Sequence, residues 1–209
     1  MRLADHVHLA VTGADGVLLD ARDGVYYCLP EAGGHFVGDD IVDPDLAQTL
    51  EAAGLAIAAG SPRATRRAAP AARDLTQLEP PKPSRGEQLA LARVWTASAG
   101  RYHGRSFAAL IAQARRRAPS ENLASDEDAS TARRALVFAR LLPWIPFQGV
   151  CLYRSFMLLA YLRAAGLDAA WVFGVRTWPF EAHCWLQHGD LVLDDTVDGV
   201  RGYLPILVV

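Results

Sequence analysis

The chain has 209 residues, 51% hydrophobic and 21% charged, which is material for one large or two small packed domains and reads as a soluble globular protein. Its net charge of −2 hides an asymmetry: residues 1–60 carry 2 Arg against 10 Asp and Glu, residues 61–150 carry 15 Lys and Arg against 7, and residues 151–209 carry 4 against 6. No apolar run reaches the roughly 18 residues of a membrane span, the opening Met-Arg-Leu-Ala-Asp-His lacks the apolar stretch of a signal peptide, and three widely spaced cysteines suit a reducing cytoplasm better than a disulfide framework.

The acidic first part alternates in the manner of β-strands. Runs at 7–12, 17–21 and 25–29 are divided by turn signals at Asp15-Gly16 and Asp23-Gly24, which predicts a three-stranded meander. Residues 43–54 then read as a short helix, with Asp43 as N-cap, Pro44 at its first position and Gly54 at its end, and 55–59 return as a short strand. A net −8 over these 60 residues repels phosphate, so nucleic-acid binding is not expected. His6 and His8 share one face of a strand, but no Cys, Asp or Glu stands at ligand spacing, and no metal site is expected.

Residues 61–85 are rich in Pro, Ala and Arg and read as an extended linker between a domain at 1–60 and one at 86–209. Its basic character could hold an acidic substrate segment; the plainer reading is a solvated tether. From Gly86 the pattern turns helical, at 87–99, at 106–118 with Ser106 as N-cap, and at 129–142. The Arg115–Arg117 run fits a solvated helix end, where cations complement the C-terminal dipole.

The run from Cys151 to Gly166 predicts a helix that is apolar nearly all round. Only Arg154, Ser155 and Arg163 interrupt it, so other elements must wrap it. Cys151 falls at its start, where unpaired amide groups favour thiolate over thiol. A free cysteine also packs well as a small hydrophobe, and position alone does not choose between the two. Downstream, an apolar strand at 170–175 leads into a hairpin carrying His183 and Cys184 on one strand and Asp194 and Asp195 at the end of the next. Nucleophile, base and base-orienting carboxylate would then face one another. Cys184 should point away from the face of His183 and reads as core, whereas Trp185 shares that face. Gln148 could donate to an oxyanion alongside the Cys151 amide, or simply sit in a loop. No Gly-rich phosphate loop is present, and no cofactor is expected.

Four stretches carry a family resemblance: Cys151-Leu-Tyr-Arg-Ser, Pro179-Phe-Glu-Ala-His183-Cys-Trp-Leu, Leu193-Asp-Asp195 and the ending Tyr203-Leu-Pro-Ile-Leu-Val-Val. They resemble the lasso-peptide biosynthesis B proteins, leader peptidases with a transglutaminase-like cysteine-protease fold. The resemblance implies Cys151 as nucleophile, His183 as base and Asp195, twelve residues after the histidine, as the orienting carboxylate. Asp194 and Asp195 alternate faces if they continue a strand, so only one of them can meet the imidazole.

The same resemblance implies an α+β protein in two parts. A degenerate winged helix-turn-helix peptide-recognition domain would precede a papain- or transglutaminase-like peptidase. The leader of a precursor peptide would add as an extra strand along Val25, Tyr26, Tyr27, Cys28 and Leu29, although Tyr26, Tyr27 and Leu29 also read as sheet core. An asparagine-synthetase-like lasso cyclase would use the freed amine, and a cytoplasmic location without a membrane partner is implied. Two other classes stay open at this point: a transglutaminase-like acyltransferase, and a non-catalytic module that escorts the precursor.

Overall fold

A computed structural model describes residues 1–58, 66–102, 104–115, 125–145 and 151–209. The first part contains β1 (Arg2–Leu3), β2 (Val7–Thr12), β3 (Asp15–Asp20), β4 (Val25–Leu29), β5 (Phe36–Val37), β6 (Asp40–Ile41), α1 (Pro44–Ala52) and β7 (Ala56–Ile57). The predicted meander is formed by β2, β3 and β4, with β4 at one edge. The turn into β3 is tighter than the sequence suggests, since pairing already begins at Thr12 opposite Asp15. The two-residue strands make a second small sheet in the order β5-β6-β1-β7. Asp43 caps α1 by accepting the Leu46 amide at 2.7 Å, with Pro44 at the first helical position. Among residues 1–58 there is one α-helix and one 3-10 turn, Gly33–His35.

The second part contains α2 (Arg85–Tyr102), α3 (Phe107–Arg115), α4 (Ser125–Leu141), α5 (Cys151–Arg163), β8 (Ala170–Arg176), β9 (Glu181–His188), β10 (Leu191–Val192), α6 (Val197–Arg201) and β11 (Leu204–Val208). Ser84 and Glu87 start α2 as a reciprocal capping box: the Ser84 amide donates to the Glu87 carboxylate and the Glu87 amide to the Ser84 hydroxyl. Ser106 accepts the Ala109 amide at the head of α3, as its predicted capping role requires. The antiparallel sheet β10-β9-β8-β11 packs one face on α5, and α2 and α4 close over α5 from the other side. Tyr153, Ser155, Phe156, Met157, Leu158, Leu159, Tyr161 and Leu162 of α5 are all buried, as an all-round apolar helix demands.

Two packing features are not apparent from the sequence. The buried cluster around α5 also takes in Ala10, Val17 and Leu19 of the meander, so the composition change near residue 60 is not a change of core. A smaller cluster, from Leu3 to Ala56, belongs to the first part alone. The second feature is the segment from residue 66, which has no helix or strand but does not hang free as a solvated tether would. Ala72 and Arg73 donate backbone hydrogen bonds to the Asp190 carbonyl, and Val192 donates to that of Arg73. Ala68 and Ala71 cover the outer face of the sheet at Val172, Trp185 and Val192. The Arg73 guanidinium meets Asp190 at 2.5 Å.

Leu158 is fully enclosed in α5. Leu158→Ala is therefore expected to cost about 2–5 kcal/mol of stability, read as a lowered urea midpoint at unchanged slope.

Candidate active site

Cys151 opens α5, and packing of α5 on β9 brings its sulfur against His183, to which it is hydrogen-bonded. Nε2 of His183 lies 2.6 Å from Oδ2 of Asp195, which leaves Nδ1 to face the sulfur. The other oxygen of Asp195 accepts the Thr196 amide at 2.7 Å, so the carboxylate is held from both sides. Asp195 consequently lies below the usual carboxylate range, chiefly through its bond to His183.

Asp194 points elsewhere. One of its oxygens accepts the Ser155 hydroxyl of α5 at 2.6 Å and the other the Leu186 amide of β9 at 2.8 Å. Burial pushes this carboxyl upward against those two bonds. The sequence argument that the pair alternates along a strand does not hold, because β10 ends at Val192 and both residues lie in the bend before α6. They diverge all the same, Asp195 to the imidazole and Asp194 to a tie between helix and sheet.

The electrostatics favour a charged pair. A hydrogen bond from the Cys184 thiol, then one from His183, pull the Cys151 thiol from its ordinary range to about 4, against the cost of burial. Bonds to Asp195 and then to Cys151 raise His183 to about 9. Cys184 is itself pushed strongly up, first by its contact with Cys151 and then by burial. Reading Cys184 as plain core is thus incomplete: it is buried on the α5 face of β9, and its thiol also donates to the sulfur of Cys151.

Flanking rings hold the imidazole in place. Trp185 stacks against His183 with centroids 6.1 Å apart, and the Tyr203 ring lies 5.4 Å from the same imidazole. Gly174 pairs with His183 across the sheet, and a Cβ there would come within 2.9 Å of both Trp185 and Tyr203. A Cβ on Gly199 would meet Asp195 Oδ1 at 2.5 Å, so the first turn of α6 also needs a glycine. Neither glycine stands out in the sequence, because the crowding comes from side chains on other elements.

A cavity of about 500 Å³ opens at Cys151 and His183, and the meander residues Asp23, Gly24 and Tyr26 form part of its wall. A second cavity of about 560 Å³ between α2, α3 and α5 contains neither a thiol nor an imidazole. Of the other predicted residues, Val25 and Tyr27 are exposed on β4, and Tyr26, Cys28 and Leu29 are half-buried. Gln148 lies outside the described residues, as do Arg116 and Arg117. Among the described residues no cluster of three or more His, Cys, Asp or Glu could hold a metal ion, and no helix is long and apolar enough to cross a membrane.

The profile of the transglutaminase-like superfamily matches residues 90–208, more than half of the chain and all of the elements that carry this site. The chain belongs to the transglutaminase-like superfamily. Within it, a segment of 49 residues is 41% identical to the microcin J25-processing protein McjB of Escherichia coli; it covers 23% of this chain and 24% of that protein. No solved structure matches.

Two outcomes are expected. A thiol lowered to about 4 is ionised above that pH, and an imidazole raised to about 9 is protonated below it. The ion pair therefore spans about pH 4–9, and the rate of Cys151 alkylation by iodoacetamide should rise through the lower value. In His183→Ala the rise should move toward the ordinary thiol range of about 8.5, as read by pH-resolved labelling and mass spectrometry. Separately, Asp194→Ala strands the Leu186 amide and leaves the Ser155 hydroxyl only its longer bond to the Cys184 carbonyl at 3.4 Å, and should lower unfolding stability by about 1–3 kcal/mol for the orphaned amide.

Proposed function

We infer that this protein is a cysteine endopeptidase that removes the leader of a lasso-peptide precursor. The observation that carries this reading is the hydrogen-bonded chain Cys151–His183–Asp195, found in a transglutaminase-like chain with a segment similar to a microcin-processing protein. The Cys151 thiolate attacks the scissile carbonyl and forms a tetrahedral adduct. His183, protonated at the start, gives its Nδ1 proton to the leaving amine as the C–N bond breaks. The neutral imidazole then takes a proton from water as its oxygen attacks the thioester, and collapse of the adduct frees the leader's new carboxyl group and returns the Cys151 thiolate beside the His183 imidazolium. Asp195 holds the ring so that Nδ1 faces the sulfur through both half-reactions.

The same reading assigns leader binding to β4, in keeping with a peptide-recognition domain of winged helix-turn-helix type at residues 1–60, joined through 61–85 to a peptidase at 86–209. What supports it is that β4 ends the meander sheet and pairs only with β3 there, and that Val25 and Tyr27 are exposed beside that edge at 42% and 39%. A peptide adding to this edge gains main-chain hydrogen bonds without rearranging the sheet. The new amine would pass to an asparagine-synthetase-like cyclase in the cytoplasm.

Incubation with a precursor peptide, read by mass spectrometry, tests the reading. Wild type should release leader and core as two products, Cys151→Ala should release none, and Asp195→Asn should turn over well below wild type by up to about 10⁴-fold, the loss known for a serine-protease triad. Cys28→Ala should retain most of the rate. A crosslinked product in place of two fragments would assign acyl transfer to an amine, and undiminished cleavage by Cys151→Ala would remove the nucleophile from the scheme.

A further inference from the structure

The cavity at the thiol is not built by the peptidase half alone. Its described lining combines Tyr26 of β4 with Phe107 and Leu110 of α3, Leu152 of α5 and Phe173 of β8, and opens at Cys151 and His183. Apart from the site's own His183, the charged side chains in that lining are Asp23 and Arg105, which are opposite in sign. At about 500 Å³ it lies within the roughly 300–1,000 Å³ of sites that enclose small organic ligands, which is room for more than a single side chain. Its floor is firm, because Phe173 and Leu110 are almost fully buried and Phe107 meets Phe173 edge-on at 5.3 Å. The Tyr26 wall is braced from outside by Phe180, whose ring centre is 5.9 Å away. That brace belongs to the β8–β9 loop, which is itself tied to the meander by Thr12 to Thr177 at 2.6 Å and by Trp178 to Asp15 at 2.7 Å.

Position on β4 gives the cavity a direction. Asp23, Gly24 and Tyr26 belong to the beginning of the strand and the turn before it, whereas Leu29, at its end, packs on the separate cluster of the first part. A peptide laid antiparallel on β4 runs from Leu29 toward Val25, so its downstream residues leave the strand beside the cavity and reach the thiol from the acyl side. We propose that Tyr26, together with Phe107, Leu110, Leu152 and Phe173, forms an apolar subsite for the two residues on the acyl side of the scissile bond, so that the N-terminal meander sets cleavage specificity as well as holding the substrate. This subsite selects peptides with apolar side chains at those positions and rejects acidic ones, which would lose their hydration to a wall of rings and methyl groups. The proposal rests on the peptidase reading given above.

Its test uses the full chain and three dipeptidyl acyloxymethyl ketones, with Leu-Leu, Gly-Gly or Asp-Asp before the warhead. Each alkylates Cys151 through a thioether as the carboxylate leaves, and the rate is read by intact mass. Every variant's rates are divided by its rate with iodoacetamide, which carries no side chain to place and so corrects for folding and thiolate content. In wild type Leu-Leu should react at least about tenfold faster than either of the others, the scale of discrimination that added methylene groups give in an apolar pocket. Tyr26→Ala should reduce that advantage to about threefold or less, and Tyr26→Phe, which keeps the ring, should preserve it. Equal rates for the three probes in wild type, or an advantage that survives Tyr26→Ala, would overturn the subsite. A Leu-Leu advantage in a protein that cuts no precursor would keep the subsite and overturn only the leader-peptidase reading.

Discussion

Helix α5 presents apolar side chains on nearly every face and is stable only when other elements enclose it, and that enclosure sets the rest of the structure. The sheet takes one side, α2 and α4 the other, and the meander contributes Ala10, Val17 and Leu19 to the same cluster. Burial of this kind is non-directional and would tolerate the helix sliding or turning by a residue. Asp194 supplies the missing direction, because its two oxygens hold Ser155 of the helix and Leu186 of the strand at hydrogen-bond distance. The first residue of α5 is thereby placed opposite the third residue of β9, and those two are Cys151 and His183.

Charge is organised around that tie. Two adjacent carboxylates have opposite surroundings: Asp195 is held by an imidazolium and an amide and stays ionised, whereas Asp194 is driven upward by burial. One adjusts the base and the other holds the scaffold. The thiolate likewise rests on a second thiol as well as on the histidine, since Cys184 donates to it from the floor of the site. A thiolate stabilised by two donors is easier to form, and it is also a weaker nucleophile than an unassisted one of higher pKa. The arrangement favours a standing ion pair over proton transfer at the moment of attack.

The two parts of the chain are less separate than their compositions suggest. Residues 66–84 contain four prolines, which break helices and strand ladders, and they form neither, yet their alanines cover Trp185 and their backbone joins the Asp190 turn. The β8–β9 loop reaches back to the meander through Thr177, Trp178 and Phe180. A contact made on β4 is therefore only one ring away from the strand that carries His183.

Much of the local structure was legible in the residues. The helix from Cys151, the hairpin after it, the meander with its Asp23-Gly24 turn and the Asp43-Pro44 helix start all follow from periodicity and from the conformational limits of Gly, Pro and capping side chains, whereas Asp15-Gly16 lies inside β3 and the first turn falls at Gly13-Ala14. The pairing of His183 with Trp185 on one face follows from strand alternation. What the sequence left open is each feature that needs a distant partner. Asp194 and Asp195 are chemically identical neighbours, and only the bend after Val192 sends one to Ser155 and the other to His183. Cys184 looks like any buried cysteine until α5 places a second sulfur against it. Gly174 and Gly199 are ordinary until the rings of Trp185 and Tyr203, and the Asp195 carboxylate, occupy the space a Cβ would fill. Periodicity records which face of an element is apolar, a property of neighbours in the chain; the partner that covers that face is chosen only when all the faces are buried together.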